Sequence, residues 1–295
     1  MKRVLLTGAN GFLGKVVLQE LLRRNRYMVH AVTSRKGSVP VAERVKEENC
    51  DLTDSIQVQG LMERVRPDIL IHLAWDQTSA DFRMSDKNLL WLTVSMNLLY
   101  EFQHFGGGRF LFAGSSSEYD GEAGVFAEEV DVLPVSLYGQ CKKNFSTFGQ
   151  QYCKGTNVSF VSLRYFTIYG AGDPHTFGAI PSTLRKLREG EPVTCNSPLT
   201  TRDYIYVGDA ARITVDIAEH EFEGIVNVAS GVPRTMEQVF TYIAQCMGKE
   251  ELLAINTNNR EKHIFEADIS LLKRLGLERT ISDFEENMKH IVDNV

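Results

Sequence analysis

A glycine turn set between a strand and a helix near the beginning of the chain restricts its fold more than any other feature. Thr7-Gly8-Ala9-Asn10-Gly11-Phe12-Leu13-Gly14 follows a short apolar run at residues 3–7 and opens a helix-like stretch at about 12–24. Gly8 permits a sharp turn, Gly11 lets backbone approach a pyrophosphate, and Gly14 allows close packing of helix on sheet. The helix N-terminus adds free N–H groups and a partial positive charge. A plain tight connection is the alternative, but strand, spacing and helix agree. Gly8, Asn10, Gly11, Phe12, Leu13 and Gly14 are therefore expected to hold a dinucleotide.

The pattern downstream repeats that unit. Strand-like runs at 28–33, 45–50, 69–73, 109–113 and 157–163 alternate with helix-like stretches at 54–64, 81–102 and 136–152. Such alternation predicts an α/β fold, a Rossmann-type doubly wound parallel sheet with right-handed crossovers. After residue 165 the pattern changes. Gly- and Pro-rich residues 169–181 and a loop at 199–202 are interspersed with helices near 180–189, 235–247 and 282–292. The expected division is a dinucleotide-binding domain of residues 1–165 and 203–229, with 203–207 and 225–229 returning to the large sheet. Residues 166–202 and 230–295 then form a smaller α/β substrate-binding lobe.

Composition bounds the partners. With 295 residues, 43% of them hydrophobic, the chain can bury a full core without staples. A net charge of −6 argues against non-specific nucleic-acid binding, and Arg23, Arg24 and Arg26 read as a solvated helix end. No stretch approaches the roughly 18 apolar residues of a membrane span, and the first apolar run is too short for a signal peptide. The five cysteines are scattered with no C-x-x-C pair, so reduced thiols and a cytoplasmic setting are expected. No cluster of metal ligands is evident.

Tyr138 and Lys142 are four residues apart and share one helix face. A phenol titrates near ~10, and a neighbouring ammonium favours phenolate. The strand at 109–113 runs into Ser115-Ser116-Ser117, at the strand end where open α/β sheets bind ligands. The second strand ends in Ser34-Arg35-Lys36 with no acid to meet ribose hydroxyls. A guanidinium there can fork onto a 2′-phosphate, so NADP(H) is expected over NAD(H), with a charged surface turn as the plain alternative.

The G-x-x-G-x-x-G spacing, followed by Y-x-x-x-K, resembles the extended branch of the short-chain dehydrogenase/reductase superfamily, of the NAD-dependent epimerase/dehydratase type. The resemblance implies that Ser115, Tyr138 and Lys142 are catalytic, with Lys142 also reaching the nicotinamide ribose. It implies that Asp51, beside Leu52, contacts adenine, and that Leu73-Ala74 line the cofactor, with Trp75 where a small residue is commoner. Asp51 could instead cap the helix near Thr53-Asp54. Asn88 matches a supporting position, or is a plain surface residue. Leu163-Arg164-Tyr165-Phe166-Thr167 resembles the family's R-x-F-N segment with Thr167 replacing Asn. Arg202, in a segment like R-D-[FY]-I-x-V-D-D, and Arg260 would meet a substrate diphosphate; Arg202 could instead pair with Asp203 or Asp209.

Ser116 and Ser117, taken as substrate-binding, stand where a dehydratase carries an Asp-Glu pair, which disfavours dehydration. The function expected first is NADPH-dependent reduction of the 4-keto group of a 6-deoxy nucleotide-diphosphate sugar, by analogy with the 4-ketoreductases of this family. An NAD-dependent nucleotide-sugar 4-epimerase is the alternative. A non-catalytic NADP-sensing regulatory protein and a reductase of a non-nucleotide ketone stand behind it. Oligomeric state is open; the helices at 81–102 and 136–152 could pair across a two-fold axis, as in many relatives.

Overall fold

Short apolar runs buried on both faces form the central sheet. The computed structural model describes residues 1–34, 37–39 and 42–293. Contacts divide the chain into two units. The first comprises Met1–Gly121, Asp131–Tyr165 and Ala211–Val226, and the second Glu122–Val130, Phe166–Ala210 and Asn227–Val295.

The sheet of the first unit contains β1 (Lys2–Thr7), β2 (Tyr27–Thr33), β3 (Val45–Asn49), β4 (Ile69–His72), β5 (Arg109–Ser115), β7 (Ser159–Tyr165) and β11 (Gly224–Val228). Their order is β11-β7-β5-β4-β1-β2-β3, and every pairing from β7 across to β3 is parallel. This is the doubly wound arrangement, a seven-stranded Rossmann-like sheet whose strand order reverses between β1 and β4. Sheets of this kind bind ligands at that switch point. The helices are α1 (Phe12–Arg23), α2 (Ser55–Val65), α3 (Lys87–His104), α4 (Leu137–Cys153) and α6 (Val207–Glu219). Asp54 caps α2 by accepting from the Ile56 and Gln57 N–H groups, and Ser136 caps α4 through Gly139 N–H. Phe102, Phe110, Phe112, Phe145 and Phe160 are fully or nearly fully buried and fill the space between the sheet and α2, α3 and α4.

The second unit holds β6 (Gly124–Phe126), β8 (Thr167–Tyr169), β9 (Val193–Cys195), β10 (Thr201–Tyr206), β12 (Pro233–Thr235), β13 (Leu253–Ile255) and β14 (Ile264–Ala267). It also holds α5 (Ala179–Arg188), α7 (Met236–Met247), α8 (Ser270–Arg274) and α9 (Phe284–Asp293). Here two expectations are corrected. Residues 203–207 do not return to the large sheet: β10 pairs antiparallel with β12 and parallel with β14 and β8. The cause is Asp203, whose buried carboxylate accepts from Ser230 N–H, the Ser230 hydroxyl and Gly231 N–H, fixing the turn into β12 beside it. Residues 225–229 do join the large sheet, as β11. The long helix starts at Lys87 and not near 81, because the Asn88 amide donates to the Phe82 and Ser85 carbonyls and holds the preceding residues as turns.

One charged pair lies inside the first unit. Arg164 Nε donates to Glu118 Oε2 at 2.7 Å, with side-chain exposures of 4% and 0%. The other Glu118 oxygen accepts from Ser115 N–H at 3.0 Å, and Arg164 also donates to the Tyr119 hydroxyl at 2.7 Å. A buried pair broken on one side leaves an uncompensated charge. Glu118→Gln is therefore expected to lower unfolding free energy by about 3–5 kcal/mol, read from the urea midpoint; a midpoint within error of the wild type refutes this.

Candidate active site

The glycine turn is shaped by close approach. Gly8 has φ +70°, and a Cβ there would stand 2.8 Å from Ala74 N. A Cβ at Gly14 would stand 1.9 Å from the Gly8 carbonyl oxygen, which already accepts from Gly11 N–H at 2.9 Å. Gly11 is the N-cap of α1, with no capping side chain and no acid in the first turn among the described residues. A helix start left uncapped, with main-chain N–H groups at Phe12, Leu13 and Gly14, suits a diphosphate. The turn thus fits the pyrophosphate of a dinucleotide on its own geometry.

A chain of hydrogen bonds runs behind the turn. Ala74 N–H donates to Thr7 Oγ1 at 3.3 Å, and Thr7 and His72 Nδ1 are 2.7 Å apart. His72 Nε2 lies 2.9 Å from Ser95 Oγ, whose hydroxyl donates to the Trp91 carbonyl. With the Ser95 proton so committed, Nε2 carries the imidazole hydrogen and Nδ1 accepts from Thr7. Burial, with the Lys142 charge adding to it, pushes His72 down to about 3. It is a neutral strut that ties β1, β4 and α3 together under residues 73 and 74.

Ser115, Tyr138 and Lys142 lie together in the first unit. Ser115 ends β5 and accepts from Ser117 N–H at 3.1 Å, and its hydroxyl is near enough to the Tyr138 phenol to favour the phenolate. Tyr138 is 5% exposed, and its oxygen also accepts from Gln77 Nε2 at 2.6 Å. Lys142 Nζ donates to the Ala113 carbonyl at 2.7 Å and sits 3.8 Å from the Trp75 ring centroid. The expected acidification of the phenol by Lys142 is not what this arrangement produces. Burial dominates and pushes Tyr138 up to about 12, with the Ser115 and Gln77 donors pulling the other way. Burial likewise pushes Lys142 down to about 7. The Gln77 donor and the nearby Ser115 hydroxyl nevertheless steady a phenolate once formed.

Around the outer end of the crevice, Asn10 Nδ2 donates to Ser38 Oγ at 2.6 Å, joining the glycine turn to the loop after β2. Glu47 on β3 holds that loop by accepting from Gly37 and Ser38 N–H at 2.8 and 3.0 Å. Ser34 is exposed at the end of β2; Arg35 and Lys36 lie outside the described residues. Asp51 spends one carboxylate oxygen on Thr53 N–H and hydroxyl, while Asp54 caps the helix. Leu52 is buried beside it, and Leu73 and Ala74 are half-buried above the Gly8 approach. Ser116 is half-buried and Ser117 buried. Asn88 is no surface residue: it is 1% exposed and accepts from Trp75 Nε1–H at 2.8 Å.

Thr167, Arg202 and Arg260 belong to the second unit. Thr167 lies on β8 opposite Tyr204. Arg202 stacks over Phe265, 5.6 Å from its centroid, while Asp203 is satisfied by residues 230–231 and Asp209 accepts from Ser282. Arg260 is exposed in the segment before β14. Sequence reasoning missed Gln77, His72 and the contact of Trp75 with Lys142. Their position at and just past the carboxyl end of β4, beside the switch point, is the signal that could have found them.

A doubly wound sheet, an uncapped glycine turn and a Ser-Tyr-Lys cluster at its crevice define a nicotinamide-dinucleotide enzyme class. The chain belongs to the NAD dependent epimerase/dehydratase family, whose model matches residues 4–229. It is 26% identical, over 99% of its own length and 97% of the relative's, to ADP-L-glycero-D-manno-heptose-6-epimerase of Alkalilimnicola ehrlichii. It is 27% identical to UDP-glucuronate 4-epimerase of Thermodesulfobacterium geofontis, covering 97% of each. Among solved structures it is similar to the UDP-glucose 4-epimerase of Thermus thermophilus in complex with NAD. The TM-score is 0.82 at 28% identity, covering 99% and 98% of the two chains. Among the described residues no helix is long and apolar enough to cross a membrane.

Gly14→Ala forces a methyl group against the Gly8 carbonyl and is expected to abolish dinucleotide binding, measured by nicotinamide cofactor titration; unaltered affinity would sink the role given to the turn. His72 supplies a pH dependence with a definite sign. In the unfolded chain it protonates below 6.5, whereas in the fold it stays neutral down to about 3. Acidification across that window therefore favours unfolding, at a slope approaching about 1.4 kcal/mol per pH unit. His72→Gln should flatten the fall of the urea midpoint between those limits, and an unchanged slope counts against it.

Proposed function

We propose that this protein is a nucleotide-sugar epimerase that inverts the C4 carbinol of a nucleotide-diphosphate sugar. The carrying observation is the buried Tyr138 oxygen, which has Ser115 for a neighbour and accepts from Gln77 in the same post-β4 segment whose Ala74 lies against Gly8. Sequence alone ranked a 4-ketoreductase first and an epimerase second. Full-length similarity to nucleotide-sugar epimerases supports the reverse order. The same trio serves either reaction, so the site itself does not oppose the change.

In this reading the glycine turn and the α1 N-terminus hold the pyrophosphate, with residues 73–74 behind it. When bound, the nicotinamide ring supplies the hydride acceptor and, on return, the hydride donor. Tyr138, as the phenolate, takes the C4 hydroxyl proton as the C–H hydride leaves, and gives that proton back once the ketone has presented its other face. Ser115 donates to the same oxygen as charge develops on it. Lys142 carries positive charge next to the phenol and reaches for the ribose. No net oxidation occurs, so one dinucleotide serves many turnovers. The diphosphate of the substrate is assigned to Arg202 and Arg260, with Thr167 and the Ser116-Ser117 pair contributing to the sugar side. The acid pair of a dehydratase is missing at 116–117.

The dinucleotide form rests on Ser34-Arg35-Lys36, which offers no acid and one guanidinium, and supports NADP. Exposed Leu89, Leu90 and Tyr100 on α3 and Phe148 on α4 support pairing of two copies through these helices.

The test is incubation of the purified protein with UDP- and ADP-sugars without added cofactor, followed by NMR of the products. Conversion to the C4 epimer at constant mass is expected. A 4-keto-6-deoxy nucleotide sugar that gains two hydrogens with added NADPH, while the UDP- and ADP-sugars stay unconverted, would restore the reductase. Tyr138→Phe should retain cofactor while turnover falls at least about a hundredfold; unimpaired turnover removes Tyr138 from the mechanism. Mass spectrometry of the released dinucleotide is expected to give NADP, and NAD would overturn the form while leaving the epimerase standing.

A further inference from the structure

Lys142 is 2% exposed, and its ammonium is flanked by aromatic rings. Among the described residues its one hydrogen-bond acceptor is the Ala113 carbonyl. The Trp75 indole lies 3.8 Å away by its centroid, the Phe112 ring 4.6 Å and the Tyr138 ring 5.6 Å. Few titratable groups face it. His72 on β4 is held neutral, Glu118 after β5 is spent on Arg164, and Cys141 and Tyr138 share its own helix. Among the described residues no carboxylate pairs with Lys142 directly, although burial pulls it down to about 7. The indole is held in place, since Nε1–H donates to Asn88, itself tied to the Phe82 and Ser85 carbonyls.

Resting on the reading of Lys142 as part of the reaction's apparatus, we propose that Trp75 is a positioning residue whose indole face holds the Lys142 ammonium at the end of β5 in the place of a carboxylate partner. A cation over an aromatic face is attracted by the ring's quadrupole, and the attraction grows where water is excluded. A leucine at this position would keep the burial and remove the attraction. A phenylalanine would keep part of both. The ring therefore sets how much of Lys142 is charged near neutral pH, and through it the pH range in which Tyr138 has a cationic neighbour.

The experiment follows isotope-labelled lysine side chains by NMR in the full-length protein, with the Lys142 signal assigned by its loss in Lys142→Met. In the wild type the ε-methylene resonance is expected well upfield of the other lysines, shifted by the ring current. An ordinary resonance overturns the proposal without any variant of Trp75. Trp75→Leu should move the Lys142 titration down by about one pH unit, and Trp75→Phe should restore most of it. A Leu variant that titrates like the wild type, or a Phe variant no better than Leu, overturns it as well. The alkaline fall in turnover should move with the Lys142 titration. If the titration moves and the turnover profile stays, the hold of Trp75 stands and the catalytic reading of Lys142 fails.

Discussion

The buried Glu118–Arg164 pair is the constraint around which the site is assembled. Glu118 follows the last residue of β5 by three positions, and Arg164 lies on the neighbouring β7. One carboxylate oxygen takes the guanidinium and the other takes Ser115 N–H, so the turn that aims Ser115 is held by a charge with no water to compete. Gly114 is required by the same closeness, since a Cβ there would stand 2.7 Å from Glu118 Oε1. The pair is costly to bury, and its return is geometry: a serine hydroxyl fixed against a phenol on the adjoining helix.

The segment after β4 joins the two halves of the site. Ala74 presses against Gly8 on one side, Trp75 lies against Lys142, and Gln77 donates to Tyr138. The hydrogen bonds of Thr7, His72 and Ser95 anchor its base in the sheet. A displacement of this segment would disturb the pyrophosphate turn and the proton-transferring groups together, so binding and chemistry share one mechanical support. Burial drives phenol and ammonium in opposite directions, up to about 12 and down to about 7. The donors and the indole face oppose that drift.

Features set by local chemistry were legible in the sequence. The glycine turn, the Tyr138–Lys142 spacing and the alternation of strands and helices depend on neighbours within one turn or one strand. The seven-stranded sheet follows from them. What escaped depended on single side-chain hydrogen bonds that no pattern marks. The placement of β10 is decided by Asp203 binding residues 230–231, and the start of α3 by an amide reaching back to residues 82 and 85. Gln77 sits in a connecting segment without periodicity, where nothing marks it except the strand it follows. Ser-Tyr-Lys chemistry runs in both directions, so these residues do not separate reductase from epimerase, and the basic turn at 34–36 bears on the form of the dinucleotide and not on the direction of the reaction.

The order in which the chain visits its two units has a consequence for biosynthesis. β7 is paired on one side by β5 and on the other by β11, which is contributed only by residues 224–228. Between them the chain leaves to build much of the second unit. On the ribosome, the large sheet therefore waits with an apolar parallel edge open until the later strand emerges. An open edge of that kind invites pairing with other chains.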